Sequence, residues 1–275
     1  MRSFSQVREE LPDTRRVEVS GGVELEVLHL EGGSPALVFV HGAMGSLWNP
    51  YTLLDRFHGD REMVSYSIAG NRGSDAPPEQ SLDEHVRELK EMLEELEIER
   101  PVLHGHSYGS TISLEYAKKH DVSGLIIHGG GSHGLMPSWE RPLVDLCSAL
   151  RLYRFGPCRW LMRKLAVRAA VEERTERIED FLQTNSVPTR RSAWRTVRES
   201  FWGYDGREDL EEVDVPVLVI HGREDGIVPL EVAEKTVELL PEGRLEVLED
   251  SGHVGFVEQP DLYSELVEDF LEEVA

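Results

Sequence analysis

A chain of 275 residues with 40% apolar side chains can bury a sizeable core and, by length alone, could hold about two domains. Its 52 acidic against 29 basic side chains leave a net charge of −23, a field that repels duplex DNA and anionic lipid and excludes a nucleic-acid partner. Only Lys90, Lys118, Lys119, Lys164 and Lys235 are lysines, and an acid-rich, lysine-poor surface of this kind suits concentrated salt.

The opening "MRSFSQVREELPD" has no apolar stretch of the secretory-signal type, and no run approaches the ~20 apolar residues that span a bilayer. The expectation is a soluble, cytoplasmic protein without stable membrane insertion. "VELEVLHL" (23–30) alternates as a half-exposed strand does. By contrast "ALVFV" (36–40), "VSYSI" (64–68), "PVLH" (101–104), "GLIIHG" (124–129) and "VPVLVI" (215–220) are nearly continuous apolar runs. Continuous runs imply strands covered on both faces. Between them, Leu82, Val86, Leu89, Leu93 and Leu96 recur at helical spacing behind Ser81 as N-cap, and "EVAEKTVELL" and "DLYSELVEDFLEEV" read as later helices. Strands alternating with helices predict an α/β protein with a mostly parallel central sheet flanked by helices.

One region interrupts the alternation. Residues 132–208 contain no strong strand, hold four of the five tryptophans, and carry 14 basic against 10 acidic side chains, whereas the rest carries 15 against 42. The division expected is a core of 1–131 and 209–275 with a helical cap, or lid, of 132–208 over the ligand-binding end of the sheet. Cys147 and Cys158, both in that region, are too few for a disulfide scaffold or a zinc site and are expected as buried free thiols.

The stretch "VLHGHSYGSTI" (102–112) sets Ser107 between an expected strand and an expected helix, with Gly105 two residues before and Gly109 two after. A serine on so sharp a turn is strained and exposed, and its neighbours at minus two and plus two must be very small for strand and helix to pass. A serine hydroxyl needs a base, and the base an orienting acid. Of the eleven histidines, His41, His104, His106, His128 and His221 end or flank strands and read as packed residues. His29, His58, His85 and His120 fall on faces that look exposed and lack a partner motif. His253, in a glycine-containing loop after the last strand, can reach over the sheet edge as the base. Asp225, in the loop after the strand ending at Ile220, is the acid, and Glu224 beside it reads as a solvated charge. In "FVHGAMGS" the backbone N–H of Ala43 would pair with that of Tyr108 as an oxyanion hole. Met44 is the alternative donor and a candidate substrate contact.

Taken in order, "HGAMG", "GHSYG", "HGREDGIVP" and "SGHVGFVEQP" resemble the four site motifs of serine-dependent α/β-hydrolases, and the likeness runs across nearly the whole chain. A fainter likeness, in "IHGGGSHGLMPS" and the cysteine-containing stretch after it, is to the mammalian α/β-hydrolase-domain-containing group numbered eight. The chain departs from the family pattern in "SIAGNRGSD" (67–75), where Ser67 replaces the usual Asp and Asn71-Arg72 stand between the glycines. The resemblance implies the α/β-hydrolase fold with an inserted helical cap, no cofactor, and a small acyl ester as substrate, and no metal is expected because no histidine and carboxylate cluster at metal-ligand spacing appears along the chain. Dehalogenases and epoxide hydrolases of this fold use an aspartate where this chain has Ser107, so acyl transfer is expected, with a carboxylesterase or lipase-like activity foremost. Thioester and carbon–carbon bond hydrolysis on the same residues, and a ligand receptor with little turnover, are the alternatives. Within the cap, Leu146, Leu150, Tyr153, Trp160, Leu161 and Leu165 would line an acyl pocket or pack the cap's own core.

Overall fold

The computed structural model describes residues 2–43, 45–78, 80–134, 146, 150, 152, 155–157, 164, 167–173, 175–184 and 203–275. Eight strands form one sheet: β1 (Arg15–Val19), β2 (Val23–Leu30), β3 (Gly33–Val40), β4 (Arg61–Tyr66), β5 (Val102–His106), β6 (Gly124–His128), β7 (Val217–Gly222) and β8 (Gly243–Leu248). Their spatial order is β1-β2-β4-β3-β5-β6-β7-β8. β1, β2 and β4 pair antiparallel, and every pair from β4 across to β8 is parallel. The continuous apolar runs are thus the central strands, where β5, β6 and β7 bury every residue. β2, at the antiparallel margin, keeps the mixed burial its alternation predicts.

Helices cover both faces. On one lie α3 (Leu82–Glu95), α4 (Tyr108–Ala117) and α6 (Leu230–Leu239), on the other α1 (Phe4–Glu10), α2 (Tyr51–Phe57) and α8 (Pro260–Glu273). Ser81 caps α3 by accepting from Glu84 N, and the periodic Val86, Leu89 and Leu93 pack with Tyr108 and Ile112 of α4. Side chains such as Leu89 and Ile112, with no exposed surface, each contribute about 1.5–3 kcal/mol by leaving water. On the opposite face Leu53 and Phe57 of α2 meet Tyr263 and Phe270 of α8.

The segment between β6 and β7 leaves and rejoins the body at adjacent points. His133 and Asp205 form an isolated antiparallel bridge, with Gly134 N donating to Tyr204 O and Gly206 N to Ser132 O. Its described helix α5 (Glu176–Thr184) lies on the body: Ile178 and Phe181 are buried in the cluster of α2 and α8. Among the described residues no helix is long and apolar enough to cross a membrane.

Candidate active site

Ser107 stands between β5 and α4 at the N-cap position, where a serine normally turns its hydroxyl onto a helix N–H. Here the side chain caps nothing, and the backbone is held at φ 54°, ψ −117°. A non-glycine residue in that region costs about 1–3 kcal/mol and persists only where its surroundings impose it. The two glycines make room for it. A Cβ on Gly109 would lie 1.9 Å from Val40 O, and one on Gly105 would lie 2.6 Å from Gly109 O. Ser107 N donates to His128 O at 2.8 Å, which ties the turn to the end of β6.

Asp225 and His253 arrive from loops after β7 and β8. His253 Nδ1 is 2.7 Å from Asp225 Oδ2, while Asp225 Oδ1 accepts from Ile227 N at 2.8 Å and Val228 N at 2.9 Å. An ionised carboxylate only accepts, so Nδ1 carries the proton and Nε2 keeps a lone pair. Burial pushes the Asp225 carboxyl up, but the neighbouring imidazole of His253 and its hydrogen bond, with His221 and the Val228 N–H, outweigh it and hold the pKa below the usual aspartate range. Glu224, beside it, is exposed.

Two further histidines hold the His253 loop against the serine turn. His106, immediately before Ser107, donates Nε2–H to His253 O at 2.9 Å. His128 donates Nδ1–H to Ile220 O at 2.9 Å and accepts Gly255 N at Nε2, 3.0 Å away. Burial drives both imidazoles well below pKa 6.5. Neutrality is what the bonding needs, since a protonated His128 would aim a second donor at the Gly255 N–H. Gly129, at φ +58°, passes so close that a Cβ there would lie 2.9 Å from His253 Nδ1. The imidazole therefore lies at the carboxyl ends of β5 and β6, the edge from which Ser107 projects.

The loop after β3 runs against the serine, because a Cβ on Gly42 would sit 2.9 Å from Ser107 Cβ. Ala43 follows directly, and Tyr108 opens α4. Buried His41, its pKa lowered to about 4 by desolvation, donates Nδ1–H to Gly42 O at 2.6 Å and accepts Ile68 N at Nε2 at 2.9 Å, fixing the loop's start. Ser67, at the position of the family's Asp, accepts from Leu47 N at 3.2 Å and so holds the same loop farther on.

His85 does not lie on an exposed face: it is 3% exposed, and its Nδ1 shares a 2.8 Å hydrogen bond with Tyr108 OH. The face of α3 that carries it turns inward with Val86 and Leu89 because α4 packs there. His29 also has a partner, Glu62, at 2.8 Å.

The segment between β6 and β7 touches all three site loops. Ala169 O accepts Gly226 N at 2.9 Å and Ala170 O accepts His253 N at 2.6 Å. Farther along, Ser46 Oγ donates to Thr184 O at 2.5 Å and Asn49 Nδ2 to Thr184 Oγ1 at 2.7 Å. Leu146 and Leu150, expected in a pocket or a packed core, are 53% and 56% exposed. Met44, Trp160 and Leu165 lie outside the described residues, as do Tyr153, Leu161, Cys147 and Cys158.

A strained serine on a strand-to-helix turn at the carboxyl edge of this sheet, with a bonded imidazole and buried carboxylate on the same edge, defines the hydrolase class of α/β proteins. A model of the alpha/beta hydrolase family matches residues 37–266, and the chain belongs to that family. Protein ABHD8 of Mus musculus is 28% identical over 86% of this chain, which spans only 54% of that protein's length. The 2-hydroxy-6-oxo-2,4-heptadienoate hydrolase of Pseudomonas putida (strain F1) is 24% identical, covering 93% of this chain and 95% of its own. Among solved structures, a thermophilic esterase from Thermogutta terrifontis superposes with a TM-score of 0.82 at 21% identity, over 96% of this chain and 99% of its own.

Proposed function

We propose that this hydrolase cleaves carboxylic esters of small molecules through an acyl-enzyme on Ser107, with His253 as general base and acid and Asp225 as its orienter. The observation that carries the reading is the 2.7 Å contact between His253 Nδ1 and buried Asp225, which leaves Nε2 basic on the edge where Ser107 is held with its hydroxyl uncommitted to the helix. In the first half-reaction His253 Nε2 takes the Ser107 proton as Oγ bonds to the ester carbonyl carbon. The negative oxygen of the tetrahedral adduct is received by the N–H groups of Ala43 and Tyr108, each such donor being worth about 3 kcal/mol in a transition state. Collapse breaks the carbon–oxygen bond, and His253 returns the proton to the departing alkoxide. Water then repeats the sequence and frees the acid.

Residues 132–208 act as the cap in this reading, with Trp160, Leu165 and Met44 contacting the acyl chain. The test is labelling of the protein by a small fluorophosphonate, mapped by mass spectrometry, alongside turnover of an ester chain-length series, the matching thioesters and a dienoic carbon–carbon substrate. Labelling of Ser107 with ester turnover that vanishes in Ser107→Ala supports the reading. Thioester or carbon–carbon cleavage that outpaces every ester would reassign the substrate, and labelling without turnover of any of them would leave a receptor.

A further inference from the structure

The short helix α7 (Gly255–Glu258) ends in a carboxylate that the serine chemistry does not use. Glu258 Oε1 accepts the N–H of Glu172 at 2.9 Å, and Oε2 accepts the N–H of Gly252 at 2.9 Å and the hydroxyl of Ser251 at 3.3 Å. Ser251 and Gly252 immediately precede His253. Glu172 belongs to the inserted segment, two residues beyond Ala170, whose carbonyl takes the His253 N–H. One side chain therefore bridges the loop that carries the imidazole to the returning chain of the insertion, and that chain is itself bonded to the acid loop through Ala169 O and Gly226 N.

The site demands an acceptor on both oxygens and a donor on neither. An ionised carboxylate meets that demand; burial raises its pKa while the hydrogen bonds it accepts act to lower it, and a carboxamide, which offers one acceptor, would turn its NH2 on the N–H of either Glu172 or Gly252. Space there is tight as well: a Cβ on Gly252 would sit 2.5 Å from Ala170 O, so loop and inserted chain cannot approach closer to compensate for a lost bond.

We propose that Glu258 is a positioning residue, which fixes the His253 imidazole against Ser107 by clamping the histidine loop to residues 169–172 of the insertion. This rests on the serine reading above. It follows that residues 169–172 belong to the fixed frame of the site, and that any opening of the insertion leaves this stretch in place.

The experiment compares the parent protein, Ser107→Ala, Glu258→Gln and Glu258→Ala. It reads the rate constant for labelling by a small p-nitrophenyl phosphonate, kcat and KM for a short ester, and Tm. A misplacement of about 1 Å at a reacting group can cost up to ~10²-fold. Glu258→Gln is therefore expected to slow both phosphonate labelling and kcat by about ten- to a hundredfold per folded site, with KM within about twofold of the parent. The phosphonate needs an activated Ser107 but no acyl pocket, so a loss confined to ester turnover would point to substrate binding and overturn the proposal. Equally fatal would be Glu258→Gln sites that label at the parental rate once the folded fraction is counted, since that is what a merely structural role produces. Should Glu258→Gln fail to fold, Glu258→Ala is assayed in a formate series. Formate returns a carboxylate to the gap, so labelling should rise saturably with it, and a rate that stays flat while Tm recovers rejects the proposal. A parent protein that is not labelled at all rejects the serine reading and this proposal with it. A labelled parent with an unaffected Glu258→Gln rejects the proposal alone.

Discussion

His253 Nδ1 and Asp225 Oδ2 are 2.7 Å apart, and the other Asp225 oxygen is occupied by the N–H groups of Ile227 and Val228. Asparagine at 225 would keep the two backbone bonds with its carbonyl oxygen and present its NH2 to His253. Nδ1 would then have to accept, which moves the ring proton to Nε2 and removes the lone pair that the serine proton needs. Asp225→Asn should lower kcat about 10³–10⁴-fold with little change in folding. Active-site titration with Tm measured on the same preparation checks this, and an Asp225→Asn rate within tenfold of the parent would count against Asp225 as orienter.

The elbow makes a second prediction through Gly109. A methyl there would meet Val40 O at 1.9 Å and His41 O at 2.8 Å, backbone atoms of β3 and its loop that have no flexible end to yield. Gly109→Ala should cost about 3 kcal/mol or more, seen as a fall in Tm of at least ~6 °C, and should abolish phosphonate labelling. Gly59→Ala is the control for a glycine substitution away from the site. Its φ of +88° makes a side chain strained there, unlike at Gly109, but nothing lies within 4 Å of the added methyl, so stability should drop by about 1 kcal/mol while labelling stays at the parental rate.

Gly129 separates crowding of the imidazole from crowding of the elbow. Its φ of +58° and the 2.9 Å approach of an added Cβ to His253 Nδ1 mean that Gly129→Ala pushes the ring away from Asp225. Turnover should fall at least ~10-fold with KM nearly unchanged. An upfield shift or loss of the His253–Asp225 hydrogen-bonded proton by NMR should accompany it, and an unchanged proton resonance would contradict the mechanism given for the loss.

What the sequence made legible were the features with a local cause. Gly105 and Gly109 are required by the backbone on either side of one serine, and "HGAMG", "GHSYG" and "HGREDGIVP" directly follow apolar strands, so these loops could be read from short windows. Of the neighbours Glu224 and Asp225 only Asp225 turns inward, while Glu224 is exposed. The helices α1 and α2, seven residues each, are too short to show a period. Strand β1, "RRVEV", offers only two inward valines. His85 stands three residues after Leu82 and four before Leu89, so helical spacing already sets it on the stripe that packs against α4, and reading its face as exposed overlooks that spacing. Glu258 is hidden for another reason: its partner Glu172 is 86 residues away, and nothing in "GFVEQP" announces a bond to a main-chain N–H of the segment between β6 and β7.

The last prediction concerns acid. His41, His85, His104, His106 and His128 are all buried, and desolvation lowers each pKa, to about 4 for His41, to about 3 for His85 and His104, and well below 6.5 for His106 and His128. Between those values and 6.5 the unfolded chain binds protons that the folded protein refuses. Their contribution to stability is therefore complete above pH 6.5 and is lost as the pH falls, by about 1.4 kcal/mol per pH unit for each fully engaged histidine. Glu88 acts in the opposite sense: burial raises its pKa from 4.5 to about 8, so its contribution is complete below 4.5 and lost as the pH rises through 8. One glutamate offsets about one histidine, and the histidines win. Protonation of the surface carboxylates, which would relieve the repulsion of a chain carrying −23, begins only near pH 4.5 and comes too late to compensate. Against a stability of roughly 5–15 kcal/mol for an ordinary domain, the net slope should bring unfolding on between about pH 6 and pH 4.5. Tm should hold steady from pH 8 to 7 and drop steeply below 6.5, and calorimetry at pH 5.5 in buffers of different ionisation enthalpy should record an uptake of about four protons on unfolding. A Tm that stays level from pH 7.5 to 5, or unfolding without proton uptake at pH 5.5, would show that these histidines are already charged inside the folded protein.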